Sequence, residues 1–138
     1  MQPPIFLRST YDETLDLMVE ARNYLAYVER RERQRAGVVA SLRMSCEAMR
    51  VTSRLTQVMA WLMMQRAVVE GEISADEAMV DRNRLSGASV CLDETFNDDE
   101  SLPRGLRSLM DRSFRLYVRI SRLEAQMLER APSSARSG

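Results

Sequence analysis

Histidine is absent from the chain. Its absence removes the commonest general base, the commonest metal ligand and the usual nucleophile triads. It also removes the Glu-x-x-His pairs with which helical bundles hold two irons. No glycine pattern of the kind that cradles phosphate occurs. The only two cysteines, Cys46 and Cys91, are far apart and form no CxxC pair, which excludes a cysteine zinc site and a disulfide framework. Together these absences argue against an enzyme and predict no metal and no cofactor.

Lysine is missing as well, so all 20 basic residues are arginine, balanced by 20 acidic ones. The arginine bias reads as genome composition more than as a need for guanidinium forks. A net charge of zero gives no overall pull towards nucleic acid or an anionic membrane. With 5 Gly and 4 Pro the chain has little turn material, while Ala, Leu, Met, Arg and Glu abound, so a few long helices are expected. A hydrophobic fraction of 45% beside a charged fraction of 29% belongs to a globular chain, and 138 residues suit one domain. Long apolar runs are also lacking: Val58 to Val69 is interrupted by Gln65 and Arg66 and is too short to span a bilayer. Met1 to Phe6 carries no basic segment before an apolar one, so no signal peptide is expected. Free thiols and no membrane segment make the expected location cytoplasmic.

What the chain does have is helical periodicity. Ser9 and Thr10, each followed three residues later by an acid, offer overlapping capping boxes. Tyr11, Leu15, Met18, Leu25 and Val28 then predict a first helix to about Arg33, closed by the basic run Arg30 to Arg35 and by Gly37. A second helix starts between Val38 and Ser41. Met44, Ala48, Val51, Leu55, Val58, Leu62 and Val69 form one stripe, and Met49, Thr52, Thr56, Met59 and Met63 a neighbouring one. Glu70-Gly71-Glu72 ends it. Ser74-Ala75-Asp76-Glu77 caps a short helix to roughly Leu85, and residues 86–101 read as an acidic loop. From Pro103, residues Leu106, Leu109, Ser113, Leu116, Ile120, Leu123 and Met127 step by three and four until Pro132. The prediction is an all-α, antiparallel bundle of three long helices. One short extra helix lies between the second and last long ones, and up-down-up is the economical order. Residues 1–8 form an N-terminal extension, 9–131 the bundle domain and 132–138 a disordered tail.

Three features are candidates for recognition, and the two cysteines are weighed for redox chemistry. Arg112, Arg115, Arg119 and Arg122 flank the last helix's apolar stripe. They could meet an acidic partner or a phosphate backbone, although the commoner arrangement is a solvated flank paired with glutamates of a neighbouring helix. The acidic loop holds Asp93, Glu94, Asp98, Asp99 and Glu100 without the ligand spacing of a calcium loop. Cys46, beside the core stripe, reads as partly buried, while Cys91 falls in the loop and lacks a partner. The second half of the second helix is apolar nearly all round. That predicts a homodimer with Trp61, Leu62 and Met64 near the contact.

The stretch from Met49 to Glu72 resembles the signature helix of the regulator of CtrA degradation (RcdA) family. Its specific parts are Ala60-Trp61-Leu62, Gln65-Arg66-Ala67-Val68 and Glu70-Gly71-Glu72. Leu102-Pro103, Ser113, Arg119-Ile120 and Arg122-Leu123 are similar to that family's closing helix, and the likeness covers about residues 40 to 130. It implies a dimeric three-helix bundle acting as an adaptor for the ClpXP protease in the cell cycle. A response-regulator-type partner would prime the protease, and substrates such as transcription factors would be handed over. Family adaptors can carry a longer C-terminal segment than the one after Pro132, which sets tail-dependent docking apart. The alternative is a helical dimeric regulator that binds nucleic acid or another protein through its arginine-rich last helix.

Overall fold

The computed structural model describes residues 5–93 and 99–130. Its elements are α1 (Ile5–Tyr27), α2 (Glu29–Arg35), α3 (Val38–Val69), α4 (Ala75–Ala78), a 3-10 turn (Asp81–Asn83), α5 (Ala88–Cys91) and α6 (Arg104–Arg130). No strand occurs among the described residues. The all-α bundle of three long helices is therefore present, and α3 is its central rod, packed against both α1 and α6.

The helices fall close to where periodicity puts them, with local differences. Helix α1 starts at Ile5, so Ser9 and Thr10 lie one turn inside it and cap nothing; Leu7 is already in the core. A turn at Val28 separates α1 from α2, yet the Val28 amide still donates to Tyr24 O at 2.9 Å, so the axis bends more than it breaks. The α1 core face is also rotated from the expected one. Leu7, Thr10, Thr14, Leu17, Ala21 and Tyr24 are buried, whereas Leu15, Leu25 and Val28 are exposed. Threonine is tolerated inside because Thr14 Oγ1 donates to Thr10 O at 2.7 Å, satisfying its own hydroxyl.

The larger difference is direction. Helix α1 runs against α3, with Leu7 beside Leu62 and Leu25 beside Thr52. It also runs against α6: Glu13 meets Arg119 and Glu20 meets Arg112. Helices α3 and α6 are parallel, because Arg54 reaches Met110 while Trp61 reaches Glu124. The order is up-down-down, not up-down-up. The described residues between 70 and 103 make this possible by running back the length of α3 before α6 begins. The fourth helix shrinks to Ala75–Ala78, capped by Ser74 Oγ accepting from the Glu77 amide at 3.0 Å, and the expected loop contains α5.

This returning strap is fastened by side chains of the two helices it covers. Glu124 Oε2 accepts from Trp61 Nε1 at 2.9 Å and from the Leu85 amide at 2.8 Å. Tyr117 donates its hydroxyl to Ser86 O at 2.7 Å, and Gln57 Oε1 accepts from the Ser86 hydroxyl at 2.7 Å. Arg50 Nε donates to Val90 O at 2.9 Å. Arg54, fully buried, donates to Cys91 O at 2.8 Å, Asp93 O at 2.9 Å, Met110 O at 3.1 Å and Ser113 Oγ at 3.4 Å. Burial pulls its guanidinium below the ordinary pKa, and the charge of Glu47 pulls it back up.

Two tests follow from these contacts. Replacing Arg54 by Met strands buried carbonyls, each worth about 1–3 kcal/mol when unpaired, so a net loss of about 2–4 kcal/mol is expected in urea unfolding. R54K should lose nearly as much, since an ammonium lacks the planar fork. An R54M loss under about 0.5 kcal/mol would show that the clasp is unimportant. Alkaline stability gives the second test. Burial, reinforced by Glu32 and Glu29 at Tyr24 and by Cys91 and Glu124 at Tyr117, pushes both phenols up from 10.0 to about 12. The folded chain then holds these protons more tightly. Their contribution is complete below pH 10.0 and is lost as pH rises towards about 12. Y117F should flatten that decline, and an unchanged slope would refute the assignment.

Candidate interaction surfaces

The two aromatic and aliphatic residues expected at a dimer contact lie inside the chain. Trp61 is 3% exposed and Leu62 1%, and Met64 is half-buried. Trp61 is turned towards α6, where its indole is bound by Glu124. The surface that α3 leaves open is the neighbouring stripe, with Met49 71% and Met63 60% exposed. Val38, Leu42, Met49, Thr52, Thr56, Met59 and Met63 follow heptad spacing, with Ser45 filling the one gap. Leu15, Val19 and Leu25 of α1 are exposed as well, and Leu25 with Met18, Thr52 and Thr56 borders a groove of 460 Å³ between α1 and α3. This is a continuous apolar seam on the side of the bundle away from α6.

Most of the arginine row is engaged by neighbouring acids. Arg112 grips Glu20 through two hydrogen bonds, at 2.7 and 2.5 Å. That fork holds the Glu20 carboxyl below its usual pKa and raises Arg112. Arg119 pairs with Glu13, and Arg115 pairs with Asp111 of its own helix at 3.2 Å. Such exposed pairs are worth about 0–1 kcal/mol each, so they set the α1–α6 register more than they stabilise it. Arg122 is exposed, and no ion pair is found for it among the described residues. Arg115, Arg119 and Arg122 share one groove, of 720 Å³, with Phe6, Phe114, Val118 and Leu123.

The acidic segment is tied to α3 at both described ends. Arg50 Nη2 donates to Asp93 Oδ2 at 3.3 Å, and Arg43 Nη1 donates to Asp99 Oδ2 at 3.4 Å. Asp99 also accepts from the Ser101 amide and hydroxyl, at 2.9 and 2.6 Å, and these bonds lower its pKa. Glu100 is exposed, whereas Glu94 and Asp98 lie outside the described residues.

The cysteines exchange the environments expected for them. Cys46 is exposed on α3, and Cys91, on the strap itself, is fully buried, where desolvation raises the thiol pKa. A buried, protonated thiol is a poor nucleophile. Sequence reasoning did not single out Arg54, Arg50, Gln57 or Glu124. A signal existed for the first: Glu47 and Arg54, one heptad apart, share a face with Val51, Val58 and Trp61. An ionisable pair inside an apolar face implies internal partners. No group of side chains suited to a metal ion is present among the described residues, and no described helix is long and apolar enough to cross a membrane.

Comparisons with known proteins agree with this architecture. The family model described as "Protein of unknown function (DUF1465)" matches residues 1–137. The crystal structure of RcdA from Caulobacter crescentus CB15 is similar to the chain at 33% identity and a TM-score of 0.72, covering 91% of this chain and 92% of that one. No curated protein matches significantly. Similarity of that extent over nearly the whole of both chains shows that the protein belongs to the DUF1465 family, alongside RcdA.

Proposed function

We propose that the protein is a non-catalytic, cytoplasmic adaptor that tethers substrates to the ClpXP protease in cell-cycle-regulated proteolysis. The observation that carries the reading is the match to RcdA over nearly all of both chains. The physics of the surface is compatible with tethering. Many of the charged side chains are held in ion pairs and strap contacts, and an apolar seam and an arginine-lined groove stand open beside them. An adaptor of this kind makes and breaks no bonds. It holds protease and substrate together and so raises the local substrate concentration, to the millimolar range for short, flexible connections.

The adaptor is a homodimer in this reading, joined through the exposed seam of α1 and α3 and not through Trp61 and Leu62. Two copies meeting there would bury Met49, Met63, Leu42 and Val19 in a four-helix arrangement, which suits the heptad spacing of α3.

Reconstitution tests the adaptor activity. Purified ClpXP, a response-regulator-type primer and a transcription-factor substrate are mixed with and without the protein. Several-fold faster substrate loss is expected. An unchanged rate, together with no capture of the unfoldase subunit by the tagged protein, would defeat the proposal. Light scattering tests the seam. The wild type should have twice the 15.8 kDa chain mass at micromolar concentration, and L42E/M49E should halve it while keeping its helical circular dichroism. A wild-type mass of one chain would remove the dimer.

A further inference from the structure

The groove between the start of α1 and the second half of α6 combines two chemistries. Phe6, Phe114, Val118 and Leu123 supply apolar surface; Arg115, Arg119 and Arg122 supply guanidinium groups, and no carboxylate lines it. Phe6 is 47% exposed, although a phenyl ring on a helix's first turn could have turned inward. Phe114 is backed by the buried Arg54 guanidinium, 5.2 Å from its ring centre, so this part of the floor is fixed before any partner arrives.

We infer that this groove docks an acidic, amphipathic peptide segment of a partner protein, its apolar side chains on Phe6 and Phe114 and its carboxylates on Arg115 and Arg122. The inference deepens the adaptor reading and rests on it for the existence of such a partner. A protein segment fits better than nucleic acid because the groove needs apolar side chains to cover its aromatic floor, which a phosphate backbone does not supply. Arg115 and Arg122 carry the recognition because neither is committed to α1; Arg119 already holds Glu13 and can add only a shared bond. Guanidinium forks also bind carboxylates bidentately, which gives such a contact direction as well as charge.

Fluorescence anisotropy tests the inference with three labelled probes. One is a synthetic helical peptide with leucine on one face and glutamate on the other. The second has lysine in place of glutamate, and the third is a DNA duplex. The wild type should bind the glutamate peptide and not the lysine peptide. R115E/R122E, which leaves both α1–α6 pairs in place, should bind it about tenfold more weakly or worse. R30E/R31E, on exposed α2, should bind as the wild type does, and circular dichroism confirms that each variant is folded. Absence of binding by the wild type, equal affinity for the lysine peptide, preference for DNA, or an unaffected R115E/R122E would each overturn the inference. The degradation assay separates the two readings. Stimulation that survives R115E/R122E defeats the groove and leaves the adaptor standing. Peptide binding without any stimulation does the reverse.

Discussion

A guanidinium ion buried in a protein must find oxygen acceptors, and Arg54 finds them in a segment far along the chain. Three of its four partners are backbone oxygens of Cys91, Asp93 and Met110, which belong to the strap and to α6. None is a carboxylate. A cation satisfied by carbonyls is only as stable as the backbone that presents them, so the clasp works in both directions. The strap solvates the charge, and the charge fixes the strap in the crease between α3 and α6. The parallel arrangement of those two helices depends on a returning connection, and Glu124, Tyr117, Gln57 and Arg50 secure the rest of it.

Long periodic segments were readable because burying one stripe of a helix leaves a repeating mark in the residues. Helix α3 and the stripe of α6 from Leu106 to Ile120 are examples. Helix α1 was harder. Its outer face carries Leu15, Val19 and Leu25, as apolar as its inner one, and its inner face hides Thr10 and Thr14. Hydrophobicity alone then picks the wrong side. The same ambiguity holds on α3, where adjacent apolar stripes compete and only packing shows that Trp61 belongs to the inside. The direction of α6 left a fainter mark, in the length of the connection between residues 70 and 103. A turn of a few residues would have forced α6 to run against α3, whereas this stretch is long enough to come back first. The cue for Arg54 was an ionisable residue set within an apolar stripe, and it lay in plain view.

The surface is divided by helix. Opposite α6, the bundle offers an apolar seam of methionine and branched residues; on α6, arginines alternate between partners on α1 and open groove. Methionine suits the first because it adapts to whatever shape arrives. The arginines of the second are held in register by Glu13 and Glu20, so the groove's geometry is set by the same pairs that neutralise part of its charge. Exposed ion pairs of little energetic value can still fix where neighbouring side chains stand.

The antiparallel contact of α1 with α6 also places Ile5 and Arg130 at one end of the rod, since Phe6 and Gln126 border the same groove. A load applied between those two residues would act as on a zipper and not as on a lap joint. It would part Glu13 from Arg119 first and Glu20 from Arg112 next, lifting the buried face of α1 a turn at a time. A chain loaded in this way gives way in sequence, whereas pulling along α3 against the strap would have to break many bonds together. The direction of a tug, and not only its strength, would decide where such a bundle opens first.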